Sequence, residues 1–191
     1  MKELPILEKK NAKDLNQFIE YWSKLYSYPL EKLYNERIWK KQFDIADIQS
    51  LFVWKNGMNL SELKQKSLNE KIKPNLKLIN RWKLDSFDLN SFEESFSNLS
   101  AVWKIFLLHI IKPNMYPIYD QNIHRAFNYI HNLEYSNISS SLKKKEKEDF
   151  YFNKYLCFID SIENINLKKL DEAFFSFGKF INTRINSILV K

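Results

Sequence analysis

The chain has 191 residues, of which 45% are hydrophobic and 16% aromatic, a composition that supports a buried core and excludes a disordered chain. It carries 30 Lys and Arg against 23 Asp and Glu, and this net charge of +7 is compatible with a polyanionic partner or with the residue usage of an AT-rich genome. The single cysteine, Cys157, excludes an internal disulfide and a cysteine-based zinc site, and its apolar neighbours predict a small buried side chain. No apolar run suits a membrane span or a secretory signal, so we expect a cytoplasmic protein without a membrane partner.

Apolar residues recur at three- and four-residue spacing along the chain and predict an all-α fold. Helices are predicted at 13–26, 30–41, 44–55, from 59 or 61 to 72, at 75–83, 101–111, from Asp120 onward, and at 142–162 and 167–189. Residues 85–98 are predicted to form a loop-rich or short-helix connection. Gly178 inside the last predicted helix suggests close packing against a neighbouring helix. We expect residues 1–191 to form a single all-α domain or two closely packed helical lobes, and the sequence carries no signal for an oligomeric state.

A polar cluster follows the most apolar of these helices. Residues 101–111, AVWKIFLLHII, are apolar around most of the helix, as expected of a core helix, and His109 within them is interpreted as a core histidine bonded to backbone. After a KPNMYP connector come the polar residues Asp120, Gln121, Asn122, His124 and Arg125. Asp120 suits the N-cap of the next helix. A cap, however, requires neither His124 nor Arg125, so the cluster is a candidate site.

The arrangement over residues 98–129 resembles the catalytic segment of the helix-hairpin-helix DNA glycosylase superfamily. A buried helix and a proline-containing loop precede Asp-x-x-Ile-x-Arg, which falls here on Asp120, Ile123 and Arg125, with Asn122 where the family often has His. WKNG at 54–57, WKIFLLHI, PIYDQ, and LDEAFFSFGK at 170–179 are similar to a set found in poorly characterised bacterial relatives of that superfamily. The family's Gly-x-Gly hairpin is missing, because the equivalent segment reads SFSNLSAVW. Its serines and asparagine are expected to make the turn through side-chain hydrogen bonds.

The resemblance implies an all-α, helix-hairpin-helix glycosylase-like helical bundle that acts in DNA repair as a hydrolase of the N-glycosidic bond, with DNA as its partner and no cofactor. Asp120 would stabilise the oxocarbenium-like transition state, while Arg125 would position phosphates. Gln121, Asn122 and His124 would line the substrate site. Lys104 is the candidate amine nucleophile of a glycosylase with lyase activity, or else a snorkelling lysine at the edge of a core helix.

The sequence offers candidate residues for two further kinds of site, a base-stacking tryptophan and a metal site. Of the five tryptophans, Trp82 lies between Arg81 and Lys83 and is predicted to be the exposed one, available to stack on a base. Trp22, Trp39, Trp54 and Trp103 fall on apolar stripes and are predicted to be core. Asp120 and nearby histidines lack a Glu-x-x-His pair, so no metal site is expected.

A non-catalytic helical nucleic-acid-binding or scaffold protein with a degenerate hairpin is the alternative. The missing hairpin glycines favour this alternative, whereas the polar cluster from Asp120 to Arg125 favours the enzyme.

Overall fold

The computed structural model describes residues 12–182, and within this range every regular element is a helix. The all-α prediction is therefore confirmed at the level of fold class. No helix in the described range has the length and apolar character needed to cross a membrane. In chain order the α-helices are α1 Leu15–Ser23, α2 Glu31–Asn35, α3 Ile45–Asn56, α4 Glu62–Ser67, α5 Leu76–Leu84, α6 Leu89–Ser95, α7 Ala101–Ile111, α8 Gln121–Ile130, α9 Lys144–Phe150, α10 Leu156–Asp160 and α11 Leu167–Ile181.

Two π-helical turns and one 3₁₀ turn join neighbouring helices. The turn Leu68–Ile72 prolongs α4, the 3₁₀ turn Lys73–Asn75 leads into α5, and the turn Tyr151–Tyr155 joins α9 to α10. The predicted helix at 142–162 is thus a nearly continuous rod that contains one wide turn. A π turn holds one more residue per turn than the α-helix, which shifts the facing of the side chains that follow it.

The clearest local signals in the sequence give the clearest helix ends. Asp44 and Asp47 form a reciprocal capping box at the start of α3, which fixes two amide groups that the helix itself leaves unbonded. Gly57 ends the same helix in the left-handed conformation, with φ of 74°. Asp120 and Asn166 cap α8 and α11 through their side chains. These caps set where each helix begins, and so they position the residues of the site described below.

Helix α7 lies at the centre of the core, and nine of its eleven residues are buried. Helix α11 packs against both α1 and α8. The α1 contact is aromatic, since the Phe18 ring lies 5.8 Å from that of Phe174 and 5.3 Å from that of Phe177, in edge-to-face geometry. Gly178 faces the backbone of Asn122, where an added Cβ would overlap the carbonyl group, so the predicted close packing at this glycine is confirmed.

Several predictions from local sequence were wrong. Of the helix predicted at 30–41 only the five-residue α2 forms, because Leu30 before it is left-handed and irregular turns follow Asn35. Trp39, predicted to be core, is 63% exposed in those turns. Cys157 is exposed on α10 rather than buried. Residues 183–189 of the predicted last helix lie outside the described range.

Candidate functional site

Four segments that are separated in sequence meet around one small pocket, which we call the Asp120 pocket. The end of α3 contributes Trp54 and Lys55, and the approach to α8 contributes Ile118 and Asp120. Helix α11 and the loop after α1 complete the lining with Lys168, Asp171, Glu172, Phe175, Tyr26 and Tyr28. The cavity encloses about 30 Å³, which is room for a few water molecules at most. Segments quoted above for the resemblance, WKNG, PIYDQ and LDEAFFSFGK, thus converge at this place.

Asp120 has two roles in this arrangement. Its Oδ1 atom accepts a hydrogen bond from the Asn122 amide at 2.8 Å, which caps α8. Its Oδ2 atom lies 3.7 Å from Nζ of Lys55, and the side chain remains 28% exposed. The cap predicted from sequence is therefore real, and the second carboxylate oxygen is left facing the pocket.

Lys55 is the buried amine of the pocket. Its side chain is only 8% exposed, and Nζ donates a hydrogen bond of 2.7 Å to the Tyr119 carbonyl oxygen. Burial lowers the pKa of Lys55, although the nearby charges of Asp120 and Asp171 oppose that shift. The sequence analysis did not predict Lys55 as a site residue. The signal that identifies it is spacing, because Lys55 stands four residues after Leu51 and seven after Ile48, on the buried stripe of α3.

Asp171 is a second carboxylate of the pocket, and the sequence analysis did not predict it as a site residue. It is 4% exposed and accepts hydrogen bonds from the Ile118 amide at 2.8 Å and from the Tyr155 hydroxyl at 3.0 Å. Burial raises the pKa of Asp171 to about 7, against the effect of these two hydrogen bonds. Because Ile118 stands two residues before Asp120, Asp171 ties α11 to the segment that delivers Asp120 to the pocket.

The other polar residues of α8 turn away from the pocket. His124 is buried and stacks on Phe150 with ring centroids 3.5 Å apart, and burial lowers its pKa to about 4, so its ring is neutral. Arg125 is 4% exposed and donates to Oδ1 of Asn122 at 2.7 Å and to the Ile138 carbonyl at 2.6 Å. In this arrangement the guanidinium holds the loop that follows α8 and faces no solvent. Gln121 and Asn122 are half-buried in the first turn.

Lys104 lies away from the Asp120 pocket, between two carboxylates. Its side chain is 4% exposed, and Nζ contacts Oε2 of Glu93 at 2.5 Å and Oε1 of Glu148 at 2.7 Å. Burial by itself lowers the pKa of Lys104, but the hydrogen bonds and charges of Glu148 and Glu93 outweigh burial and raise it. An amine nucleophile must lose its proton, so this environment is the opposite of the one that the chemistry requires.

Trp82 is not the exposed tryptophan that the flanking charges predicted. It is 4% exposed, and its ring packs against Phe87, Phe92 and Phe96 at centroid distances of 5.8–6.3 Å. Flanking residues mislead here because consecutive side chains of a helix point about 100° apart, so charged neighbours say little about the face between them. Trp82 therefore belongs to the core and cannot stack on a base.

The segment equivalent to the family's glycine hairpin forms a turn through side chains. Ser100 caps α7 by accepting from the Trp103 amide at 3.4 Å, and Ser97 donates to the Glu94 carbonyl at 3.1 Å. Lys71 and Lys144 donate to the carbonyls of Asn98 and Ser97. The expected side-chain turn is thus present, and two of its carbonyl groups accept hydrogen bonds from lysines.

Within residues 12–182 no group of three His, Cys, Asp or Glu side chains is arranged to hold a metal ion. Comparison with protein-family models, with curated proteins and with solved structures finds no match to this chain. The chemistry of the pocket is therefore the ground on which a function has to be argued.

Proposed function

We propose that the protein cleaves the N-glycosidic bond of a DNA nucleotide, with Asp120 as the carboxylate and Lys55 as the amine of the reaction. The observation that carries this proposal is the pair itself. A buried lysine of lowered pKa lies 3.7 Å from a carboxylate that is still partly exposed, within one pocket. This combination supplies a nucleophilic amine and an anion to face a positively charged sugar, which is what the reaction demands.

The roles follow from the charges that develop. As the bond between C1′ and the base breaks, the sugar becomes cationic and the Asp120 carboxylate stabilises it. Lys55 in its deprotonated form then bonds to C1′ and passes its surplus proton to the departing base. The C1′–O4′ bond breaks, O4′ takes a proton from water, and an iminium links Nζ to C1′. Water added to that iminium releases the enzyme and leaves an abasic sugar. If water attacks C1′ in place of the amine, the enzyme is a monofunctional glycosylase.

The target base has to leave the helix stack to reach Asp120, and a cavity of about 30 Å³ has to widen to admit it. We propose that Tyr28 moves to widen the cavity. It is half-buried, lines the pocket, and its hydroxyl contacts the Lys55 carbonyl at the long distance of 3.5 Å. Opening there leaves intact the links of Asp171 to Ile118 and Tyr155.

A second function, non-catalytic nucleic-acid binding or scaffolding, is favoured by a different observation. Asp120 caps α8, and Lys55 donates to the Tyr119 carbonyl, so both groups also serve as links that fix this segment. On this second proposal Asp120 and Lys55 have structural roles, and the outer surface of the helices binds nucleic acid or another partner.

An abasic-site duplex tests the amine without knowledge of the target base. Its deoxyribose aldehyde forms an iminium with an accessible neutral lysine, and borohydride reduces that link to a stable protein–DNA adduct. We expect an adduct with the wild type, none with Lys55→Gln, and a wild-type yield with Lys66→Gln. Lys66 is the matched control because it is an exposed lysine outside the Asp120 pocket lining, in a surface ion pair with Glu70 at 3.8 Å.

Base release is scored separately on duplexes that each carry one altered base. Asp120→Asn keeps the size and the cap but removes the charge, so we expect base release to fall by at least about 100-fold while the free energy of unfolding stays near wild type. Full release by the folded Asp120→Asn variant contradicts the catalytic role. A wild type that gives no adduct, yet binds duplex DNA more weakly as salt is added, supports the second function.

A further inference from the structure

The ammonium group of Lys168 lies inside a cage of aromatic rings that shares part of its wall with the Asp120 pocket. Its Nζ atom is 5.0 Å from the ring centre of Tyr26, 4.6 Å from that of Tyr34 and 5.6 Å from that of Trp54. These three rings are called the aromatic cage below. Ring faces attract cations through their electron density, and the attraction grows when water is excluded. Two carboxylates complete the surroundings of Lys168, with Glu31 Oε1 at 2.6 Å and Glu172 Oε1 at 3.4 Å.

Each ring of the cage has a hydrogen-bond partner other than Lys168. Oε2 of Glu31 accepts hydrogen bonds from the Tyr26 hydroxyl at 2.9 Å and from the Trp54 indole at 2.8 Å. The third ring, Tyr34, is held through a 2.7 Å hydrogen bond between its hydroxyl and Nε2 of His109. Tyr26 and Trp54 are thus held by Glu31, whose other oxygen pairs with Lys168, and Tyr34 is held by His109. Hydrogen bonds that do not involve the lysine therefore help to organise the cage for a cation.

Charge decides what can replace the lysine. Without the Lys168 ammonium, the cage and the adjoining lining hold the carboxylates Glu31, Asp120, Asp171 and Glu172 against the single amine of Lys55. An anionic ligand would be repelled there, whereas a cation gains both the rings and the carboxylates. The Lys168 side chain is 27% exposed and flexible, so it is able to swing outward.

We propose that the aromatic cage is a binding site for an organic cation, such as a quaternary or N-alkylated ammonium group, and that Lys168 is its intramolecular occupant. A ligand of this class enters by displacing the lysine from the rings. This inference stands on the cage geometry and does not depend on the proposed glycosidic chemistry.

Isothermal titration of Lys168→Ala with choline and with 3,3-dimethyl-1-butanol tests the emptied cage. The two compounds share one shape and differ by the charge, so we expect choline to bind at least about tenfold more tightly than the alcohol. Tyr26→Phe in the same background keeps the ring face and should keep the preference, while Tyr26→Leu removes the face and should reduce it. Circular dichroism confirms that each variant is folded. Equal binding of the two compounds, or no binding of either, by folded Lys168→Ala overturns the proposal.

The wild-type protein provides a second, independent readout. Displacement of Lys168 exposes its amine, so choline should increase the labelling of this residue by an amine-reactive ester, read by peptide mass spectrometry, and the neutral alcohol should not. Labelling of the exposed Lys66 serves as the internal control. The same measurement with 1-methyladenosine against adenosine distinguishes a cationic nucleobase from a small ammonium compound as the source of the charge. Labelling of Lys168 that no cation changes overturns the displacement step.

Discussion

Gly178 of α11 lies so close to Asn122 of α8 that a side chain at the glycine would overlap the Asn122 carbonyl group. The contact falls two residues after Asp120, and seven residues before Gly178 the same helix places Asp171 on the amide of Ile118. Helix α11 therefore holds the start of α8 at two points, on either side of Asp120. Their joint effect is to fix the carboxylate relative to the pocket.

We expect Gly178→Ala to destabilise the protein, because the added methyl group has to push α8 and α11 apart. Overpacking of this kind costs about 1–3 kcal/mol, and here it opposes any gain in helix propensity. Urea unfolding followed by circular dichroism measures the change. A Gly178→Ala variant at least as stable as wild type would contradict the close approach.

A substitution of Ser176, on the same helix, should change the free energy of unfolding in the opposite direction to Gly178→Ala. Its side-chain oxygen is buried and has no hydrogen-bond partner among residues 12–182, which is unfavourable by about 1–3 kcal/mol relative to a satisfied or apolar atom. Ser176→Ala should therefore raise the free energy of unfolding, or leave it unchanged if water reaches the hydroxyl. A clear loss of stability would show that the hydroxyl has a partner in solution.

Replacing Lys104 should affect stability and leave the chemistry intact. Lys104→Met preserves length but leaves Glu93 and Glu148 without their shared cation, and we expect a loss of about 1–3 kcal/mol in urea unfolding. The folded variant should still form the borohydride-trapped adduct, because Lys104 is not part of the Asp120 pocket lining. Loss of the adduct together with retained stability would return Lys104 to the catalytic role predicted from sequence.

Acid should destabilise the fold through two buried histidines. Burial lowers the pKa of His109 to about 3 and that of His124 to about 4 from the usual 6.5, so the neutral rings stabilise the folded state above pH 6.5. That contribution is lost as the pH falls from 6.5 through the folded pKa values. Asp171 acts in the opposite direction between its usual value near 4 and about 7, because its raised pKa favours the folded state at lower pH.

The histidines outnumber the aspartate, so we expect stability to fall between pH 7.5 and pH 5.0. For His124→Gln this fall should be smaller by up to about 2 kcal/mol, since one group with these pKa values contributes that amount at pH 5. Urea unfolding at both pH values compares each protein with itself, which cancels the lost ring stacking. An equal fall in the variant would mean that His124 titrates normally.

Trp39 should dominate the accessible tryptophan fluorescence. It is 63% exposed, whereas Trp54 and Trp82 are each 4% exposed. Trp39→Phe should shift the emission to shorter wavelength and lower the acrylamide quenching constant, while Trp82→Phe should do neither. Quenching that persists unchanged in Trp39→Phe would place the exposed ring elsewhere in the chain.

The sequence predicted those features that neighbouring residues determine. Hydrophobic periodicity and capping residues predicted α3, α7 and the start of α8 well. Asp44, Gly57 and Asp120 each cap a helix end through contacts within one turn of their own positions, so local sequence is sufficient to predict them. The pairings of Lys104 with Glu148, and of Lys55 with Asp120, join elements far apart in the chain. Local spacing has no information on such contacts, so the sequence alone predicted neither the ion pairs of Lys104 nor the burial of Lys55 beside Asp120.

The Asp120 pocket forms late during synthesis of the chain, because its parts come from distant segments. Lys168 and Glu31 meet across 137 residues of chain, and α1 likewise waits for α11 as its packing partner. At a synthesis rate of about 5–20 residues per second, the ribosome needs roughly 7–27 seconds to make the intervening segment. During that interval the nascent chain presents Trp54, Lys55 and later Asp120 as separate groups. The pocket forms only when the last described helix docks, so on the proposed function the Lys55 amine would not meet Asp120 in its final arrangement until the fold around it is complete.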